Sequence, residues 1–328
     1  MSIYIILQIM LLVAGFVCLV KGADVFVGGS SALARNFHVP GLIIGLTIVA
    51  LGTSAPELAV STLAAFQGSN EIAISNVVGS NTFNLLIVLG VCAVICPLPV
   101  EKVVLTRDFP FSIIITVLLL ITTCSSVLFG VHITEYNVNQ EVGTVTHLIG
   151  FILLILFVSY IGYLIHTAKR QPSEDETGEK KPLGKCVLLI LVGLVFIIAG
   201  GQAVVHGAKE IARVVGMTET LIGLTIVAVG TSLPELVTSI VAAKKGETGL
   251  AIGNVIGSNI FNLLFILGVS AMIRPIAVNI ASMYDMMILI FISILAFFFS
   301  FSSKRITRLE GLIMVAVYVV DVVFAIMR

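Results

Sequence analysis

Residues 43–58 read IIGLTIVALGTSAPEL and residues 221–236 read LIGLTIVAVGTSLPEL, identical at thirteen of sixteen positions. Some twenty residues beyond each stretch comes a second match. NVVGSNTFNLL at 76–86 answers NVIGSNIFNLL at 254–264, identical at nine of eleven. The offset is 178 residues throughout, from Gly22/Gly200 through Gly90/Gly268 to Pro97/Pro275, with no insertion or deletion. Solenoid and propeller repeats run at about 20–50 residues, so a period this long denotes two half-proteins. Glu57 and Glu235 are one position of a duplicated unit, an acid set in apolar sequence beside a glycine, two hydroxyls and a proline.

Outward from these stretches the sequence is almost uniformly apolar. Hydrophobic residues make up 58% and charged residues 11%, against about 25% charged in soluble chains. A run of about 20 apolar residues crosses the hydrocarbon core, and such runs recur along the whole chain. They do not alternate apolar and polar positions as barrel strands do, so the chain reads as an all-α membrane protein. Zero net charge gives no bulk attraction to nucleic acid. The five cysteines (Cys18, Cys92, Cys96, Cys124 and Cys186) lie in or beside apolar segments, form no CxxC pair and read as packing residues. No basic stretch precedes the first apolar run, so the first span is expected to be retained.

Ten transmembrane helices are expected, at 2–34, 41–66, 70–96, 109–130 and 145–167, then 183–212, 219–244, 249–273, 283–302 and 308–327. The first and sixth are longer than a perpendicular crossing needs and are expected to tilt. This divides the chain into a first five-helix repeat at 1–167, a charged linker at 168–182 and a second repeat at 183–328. The linker lies within AKRQPSEDETGEKKPLGK (168–185), a composition that stays solvated and flexible. Five crossings is an odd number, so the second half enters from the opposite side and the repeats are inverted. Charge supports the same topology. With the linker cytoplasmic, the inside loops gather thirteen Lys and Arg, while the outside keeps Lys209, Arg213, Arg274 and Arg328. That positive-inside bias puts both termini on the extracellular or periplasmic side of the cell (inner or plasma) membrane.

Within the motif, Pro56 and Pro234 lack an N–H and displace the carbonyls of Gly52 and Gly230, which is tolerated at membrane depth only inside protein or beside a wet cavity. Thr53 and Ser54 are four and three residues from Glu57, so hydroxyls and carboxylate share a helix face. Ser80 and Asn84, like Ser258 and Asn262, are four apart. Every such group offers oxygen, and neither motif contains His or Cys. Oxygen cages suit hard cations such as Ca2+ or Na+. A carboxylate at the bilayer centre costs at least about 2.5–3.5 kcal/mol, so two of them call for one divalent or two monovalent ions. That is the electrostatic basis of an exchanger, and inverted repeats with broken helices are the architecture of secondary transporters. The glycines alone fit mere helix packing, which leaves the duplicated glutamate unexplained. Asp24, three residues after Lys21, is expected to pair with it on one helix face.

At these residues the chain resembles the cation/calcium exchanger superfamily and, within it, the prokaryotic sodium/calcium exchangers, whose alpha repeats look like the paired GTSxPE and N-V-x-G-S-N-x-x-N stretches. The resemblance extends over the whole ten-span layout. It implies four ion sites clustered at mid-membrane, with ligands falling on Thr53, Ser54, Glu57, Ser80 and Asn84 in the first half. In the second half they fall on Thr231, Ser232, Glu235, Ser258 and Asn262, with the carbonyls of Ala50 and Ala228 as backbone ligands. Glu57 and Glu235 would bridge Ca2+ and also serve Na+, and the long first and sixth helices would slide to alternate access. Many members carry aspartate where this chain has Asn262, so the cluster here holds two acids and not three.

The expected function is a secondary active antiporter exchanging Na+ for Ca2+, with the lipid bilayer as its setting, the monomer as its working unit and no cofactor. A Ca2+/H+ exchanger of the same fold is the alternative. The wealth of Thr, Ser and Asn favours Na+, because a proton site needs little beyond the acids. A channel fits less well, since channels form one axial pore with rings of acids. An enzyme lacks support, because the apolar core has no Ser/His dyad, HExxH or CxxC.

Overall fold

In hydrocarbon a backbone must satisfy its own hydrogen bonds, and this chain does so with helices. The computed structural model describes residues 2–69, 71–129, 140–170, 181–217, 226 and 228–327. Among the described residues seven helices are long and apolar enough to cross a membrane, or eight if Gly41–Thr53 and Ala55–Gln67 form one broken span. Burial is inverted relative to a soluble protein. Val158, Leu188 and Phe298 stand exposed, whereas Thr53, Ser54, Glu57, Ser232, Glu235 and Ser258 are buried. Lipid is the solvent for the first set, and the chain is an integral membrane protein. Most of the segment between the fourth and fifth expected spans, most of the linker and the start of the seventh span (218–225 and 227) lie outside the described residues.

The chain forms two compact units, Met1–Pro56 with His166–Val255, and Glu57–Ile165 with Ile256–Arg328. Each draws on both sequence halves, so the units are not the repeats.

In the first unit the dominant elements are Ser2–Phe37, of 36 residues, and Leu183–Val215, of 33. At 1.5 Å per residue they are about 54 and 50 Å long. They pack antiparallel, Gly15 against Val204, Gly22 against Ile197 and Gly29 against Ile190. The mates of these glycines, Gly193, Gly200 and Gly207, lie against Phe26, Leu19 and Gln8. A Cβ added to Gly200 would stand 2.6 Å from the Leu19 nitrogen. No side chain fits there without parting the helices, which is small-residue packing at its closest. Within the long helix Ser2–Phe37, Asp24 Oδ1 meets Lys245 Nζ at 2.8 Å. The ion-pair partner of Asp24 is thus Lys245 and not Lys21. A pair along one helix is worth only a few tenths of a kcal/mol, whereas Lys245 reaches both the carboxylate and the backbone carbonyl of Asp24.

In the second unit Glu71–Phe83 continues through a π turn, Asn84–Val88, into Leu89–Ile95. Thr248–Phe261, which the chain carries across from the first unit, continues likewise through Asn262–Ile266 into Leu267–Ile273. Around them stand Phe109–Phe129, His147–Arg170, Ile280–Ser303 and Arg308–Met327. Two short antiparallel ribbons, Leu98–Pro99 with Arg305–Ile306 and Glu141–Val145 with Ile276–Asn279, close the span ends. Apolar periodicity does not announce them; they pair backbone groups that helices no longer satisfy.

The fourth span begins before residue 109, in a π turn at Val104–Asp108. Buried Asp108 accepts from Arg107 at 2.6 and 3.0 Å and from Tyr160 Oη at 3.0 Å. With its charge matched and its oxygens engaged, the acid can sit inside the span.

Candidate functional site

Both GTSxPE stretches break their helix at the serine. Ser54 has φ −84° and ψ 11°, and Ser232 has φ −92° and ψ 6°. New helices then run Ala55–Gln67 and Leu233–Lys244. Sequence alone places each proline inside a helix, but the structure puts each in the first turn of a new one. There no intrahelical N–H is missed. Ser54 N–H donates to the Ala50 carbonyl at 3.0 Å, so the upstream helix closes on its own backbone. Glu57 and Glu235 consequently sit in first helical turns, where unpaired N–H groups and the macrodipole favour a negative charge.

In the first unit Glu235 Oε1 accepts from Ser54 Oγ at 2.7 Å. Thr53 Oγ1 donates to Asn254 Oδ1 at 3.0 Å. Asn254 Nδ2 in turn donates to Ser239 Oγ at 2.9 Å and to the Glu235 carbonyl at 3.4 Å. Thr53, Ser54 and Glu235 are therefore gathered into one hydrogen-bonded group. Thr231 Oγ1 is buried with no hydrogen-bond partner among the described residues. Ser232 is buried at the N-cap of the glutamate's helix. The Ala50 carbonyl also lies 3.4 Å from Thr53 Oγ1, and Ala228 opens the helix Ala228–Thr231.

In the second unit Glu57 Oε1 accepts from Ser80 Oγ at 3.4 Å. Asn76 Nδ2 donates to Ser61 Oγ at 2.9 Å and to the Glu57 carbonyl at 3.2 Å. Asn84 and Asn262 each begin a π turn, a helix irregularity that recurs at functional sites. Asn84 Nδ2 donates to Asn259 Oδ1 at 3.1 Å, and Asn262 Nδ2 to Asn81 Oδ1 at 3.0 Å. Asn84 Oδ1, Asn262 Oδ1 and Ser258 Oγ are buried and have no hydrogen-bond partner among the described residues.

Six polar residues of these networks are not among the expected ligands: Ser61, Asn76 and Asn81 with their mates Ser239, Asn254 and Asn259, of which the four asparagines stand in the second motif. Each mate lies 178 residues on, so the duplication itself was the available signal. The chemical character of the whole is uniform: two carboxylates in first helical turns and a surplus of buried side-chain oxygens. Such groups accept from donors or bind hard cations.

The family described as sodium/calcium exchanger protein matches residues 7–166 and 185–327. A putative antiporter, CaxA of Alkalimonas amylolytica, is 38% identical over 317 residues, which is 93% of this chain and 94% of the relative. The sodium/calcium exchanger MaX1 of Methanosarcina acetivorans is 32% identical over 340 residues, 96% of this chain and 97% of the relative. Among solved structures, the sodium-calcium exchanger NCX_Mj soaked with zero Na+ and Ca2+ matches with a TM-score of 0.81. It is 30% identical, and the match covers 99% of this chain and 100% of that one. The chain belongs to the sodium/calcium exchanger family, as a member of its prokaryotic type.

Proposed function

We propose that this membrane antiporter exchanges Na+ for Ca2+ by alternating access. The family supports a cation/Ca2+ antiporter, and the choice of ions rests on the donor set. One observation carries it: a repeat-related pair of buried glutamates, each in a first helical turn and each bonded by a serine hydroxyl. Two carboxylates balance one Ca2+ or two Na+, and both ions prefer oxygen. The proposed ligands are Glu57 and Glu235 with Thr53, Ser54, Ser80, Asn84, Thr231, Ser232, Ser258 and Asn262, and the carbonyls of Ala50 and Ala228. Leaving a buried polar atom without a partner costs about 1–3 kcal/mol. Thr231 Oγ1, Ser258 Oγ, Asn84 Oδ1 and Asn262 Oδ1 stand in that condition, and a bound cation would relieve it. A proton needs none of these oxygens, which favours Na+ over H+ as the driving ion.

The proposed arrangement is ten spans in two inverted five-helix repeats, 1–167 and 183–328, joined by a cytoplasmic linker at 168–182, with both termini outside. Antiparallel packing of Ser2–Phe37 on its repeat mate Leu183–Val215 supports inversion, since mates in a parallel duplication run the same way. Sliding of this pair is the proposed motion, and one chain is the proposed working unit. The test is radiolabelled Ca2+ uptake into proteoliposomes loaded with Na+ and diluted into Na+-free buffer, beside a pH-gradient arm. Uptake driven by Na+ and indifferent to the proton gradient is expected. Uptake driven only by the proton gradient would transfer the function to Ca2+/H+ exchange.

A further inference from the structure

An asparagine amide carries an acceptor oxygen and a donor NH2 of nearly the same shape. As an ion ligand it works only if something decides which atom faces the ion. Four asparagines of the second unit, each only 1% exposed, make that decision among themselves. Asn259 Nδ2 donates to the backbone carbonyl of Asn81 at 3.5 Å, and Asn81 Nδ2 donates to the backbone carbonyl of Asn259 at 3.2 Å. A backbone carbonyl can only accept, so each of these amides must turn its NH2 toward it. Their Oδ1 atoms therefore face the other way, where Asn84 Nδ2 meets Asn259 Oδ1 and Asn262 Nδ2 meets Asn81 Oδ1. What remains of Asn84 and Asn262 is Oδ1, buried and without a hydrogen-bond partner among the described residues. The orientation of an amide is ordinarily ambiguous; here two acceptor-only anchors set it for all four.

We propose that Asn81 and Asn259 are positioning residues that hold the oxygens of Asn84 and Asn262 toward the transported cations. The control is crossed, because Asn81 of the first repeat orients Asn262 of the second, and Asn259 of the second orients Asn84 of the first. The inference rests on the reading that Asn84 and Asn262 are ion ligands. It carries a sharp corollary. A carboxylate at 84 or 262 has oxygen on both sides and needs no orienting, but it would meet the Oδ1 of its partner as acceptor against acceptor.

The experiment is a double-mutant cycle on Na+-driven Ca2+ uptake in proteoliposomes, reading half-saturating Ca2+ and maximal rate separately. Asn259→Ala in the wild-type background is expected to raise half-saturating Ca2+ by roughly tenfold or more, the scale of outer-shell changes at metal sites, with a smaller change in maximal rate. In the Asn84→Asp background the same Asn259→Ala change should leave half-saturation unchanged or lower it. An equal rise in both backgrounds would mean that Asn259 only packs the helices, and would overturn the proposal. Asn81→Ala with and without Asn262→Asp repeats the cycle from the other side. Should the single alanine variants fail to fold, recovery of folded protein in the aspartate backgrounds supports the orienting role, and equal failure there overturns it. Wild-type half-saturation in both Asn84→Ala and Asn262→Ala would overturn the ligand reading beneath it. Loss in those two with no change in Asn259→Ala or Asn81→Ala overturns the orienting role alone.

Discussion

The two glutamate corners are built from nearly the same sixteen residues, yet they share only part of their geometry. In the second unit Asn76 bridges the Glu57 carbonyl and Ser61 at 3.2 and 2.9 Å. In the first unit Asn254 bridges the Glu235 carbonyl and Ser239 at 3.4 and 2.9 Å. That strut is duplicated. The serine bonds at the carboxylates come from different motif positions, Ser54 donating to Glu235 at 2.7 Å and Ser80 to Glu57 at 3.4 Å. Thr53 is tied to Asn254, whereas its mate Thr231 has a buried hydroxyl with no hydrogen-bond partner among the described residues. The comparison separates frame from contents. The strut that fixes the backbone is copied, and the tie on the threonine hydroxyl is present in one corner only. Alternating access in a duplicated protein asks for that combination, because in either state one half must differ from the other.

The comparison can be broken most directly at the glutamates. Glu57→Gln and Glu235→Gln are each expected to abolish Na+-driven Ca2+ uptake while the protein remains folded and monodisperse. Wild-type rates in either variant would sink the assignment of that corner. Next in size is the frame. Asn76→Ala and Asn254→Ala should each cost about 1–3 kcal/mol of stability in thermal or denaturant unfolding through the partners left unsatisfied, the Asn254 change more because it also releases the Thr53 hydroxyl. No loss in either variant would show that the strut is not a shared frame. The contents come third. Ser54→Ala should raise half-saturating Ca2+ more than Ser80→Ala does, since a hydroxyl at 2.7 Å binds its carboxylate far better than one at 3.4 Å. The reverse order would mean that the length of these serine bonds has no bearing on ion binding. The smallest expected change in rate comes from Asn262→Asp. A third carboxylate adds a titrating group, so cation stoichiometry or the pH profile of exchange should shift, and an unchanged profile would contradict the charge argument.

Most of this was legible in the sequence because the duplication marks positions that chemistry repeats. It exposed the two glutamates, the helix break and the hydroxyl and amide sets. The sequence could not tell that Pro56 and Pro234 open helices, since that depends on where Ser54 and Ser232 leave the helical region. The resemblance singled out Asn84, but the sequence held no sign of what Asn81 does: a carbonyl from another helix takes its NH2 and leaves its oxygen to a second amide. Arg107 reads as a loop charge until Asp108 and Tyr160, 52 residues apart in sequence, are found bonded in one buried group. Asp24 fails for the same reason, its partner Lys245 lying 221 residues away. In each case the missing information was a tertiary neighbour.

In the proposed exchange one set of carboxylates serves both ions in turn. Equilibrium Ca2+ binding to the purified protein, titrated at a series of Na+ concentrations, tests this without any transport step. Two carboxylates that hold either one Ca2+ or at least two Na+ predict mutually exclusive binding. The apparent Ca2+ dissociation constant should then rise with at least about the second power of Na+ concentration once Na+ is saturating. Ca2+ binding that is indifferent to Na+ would contradict it.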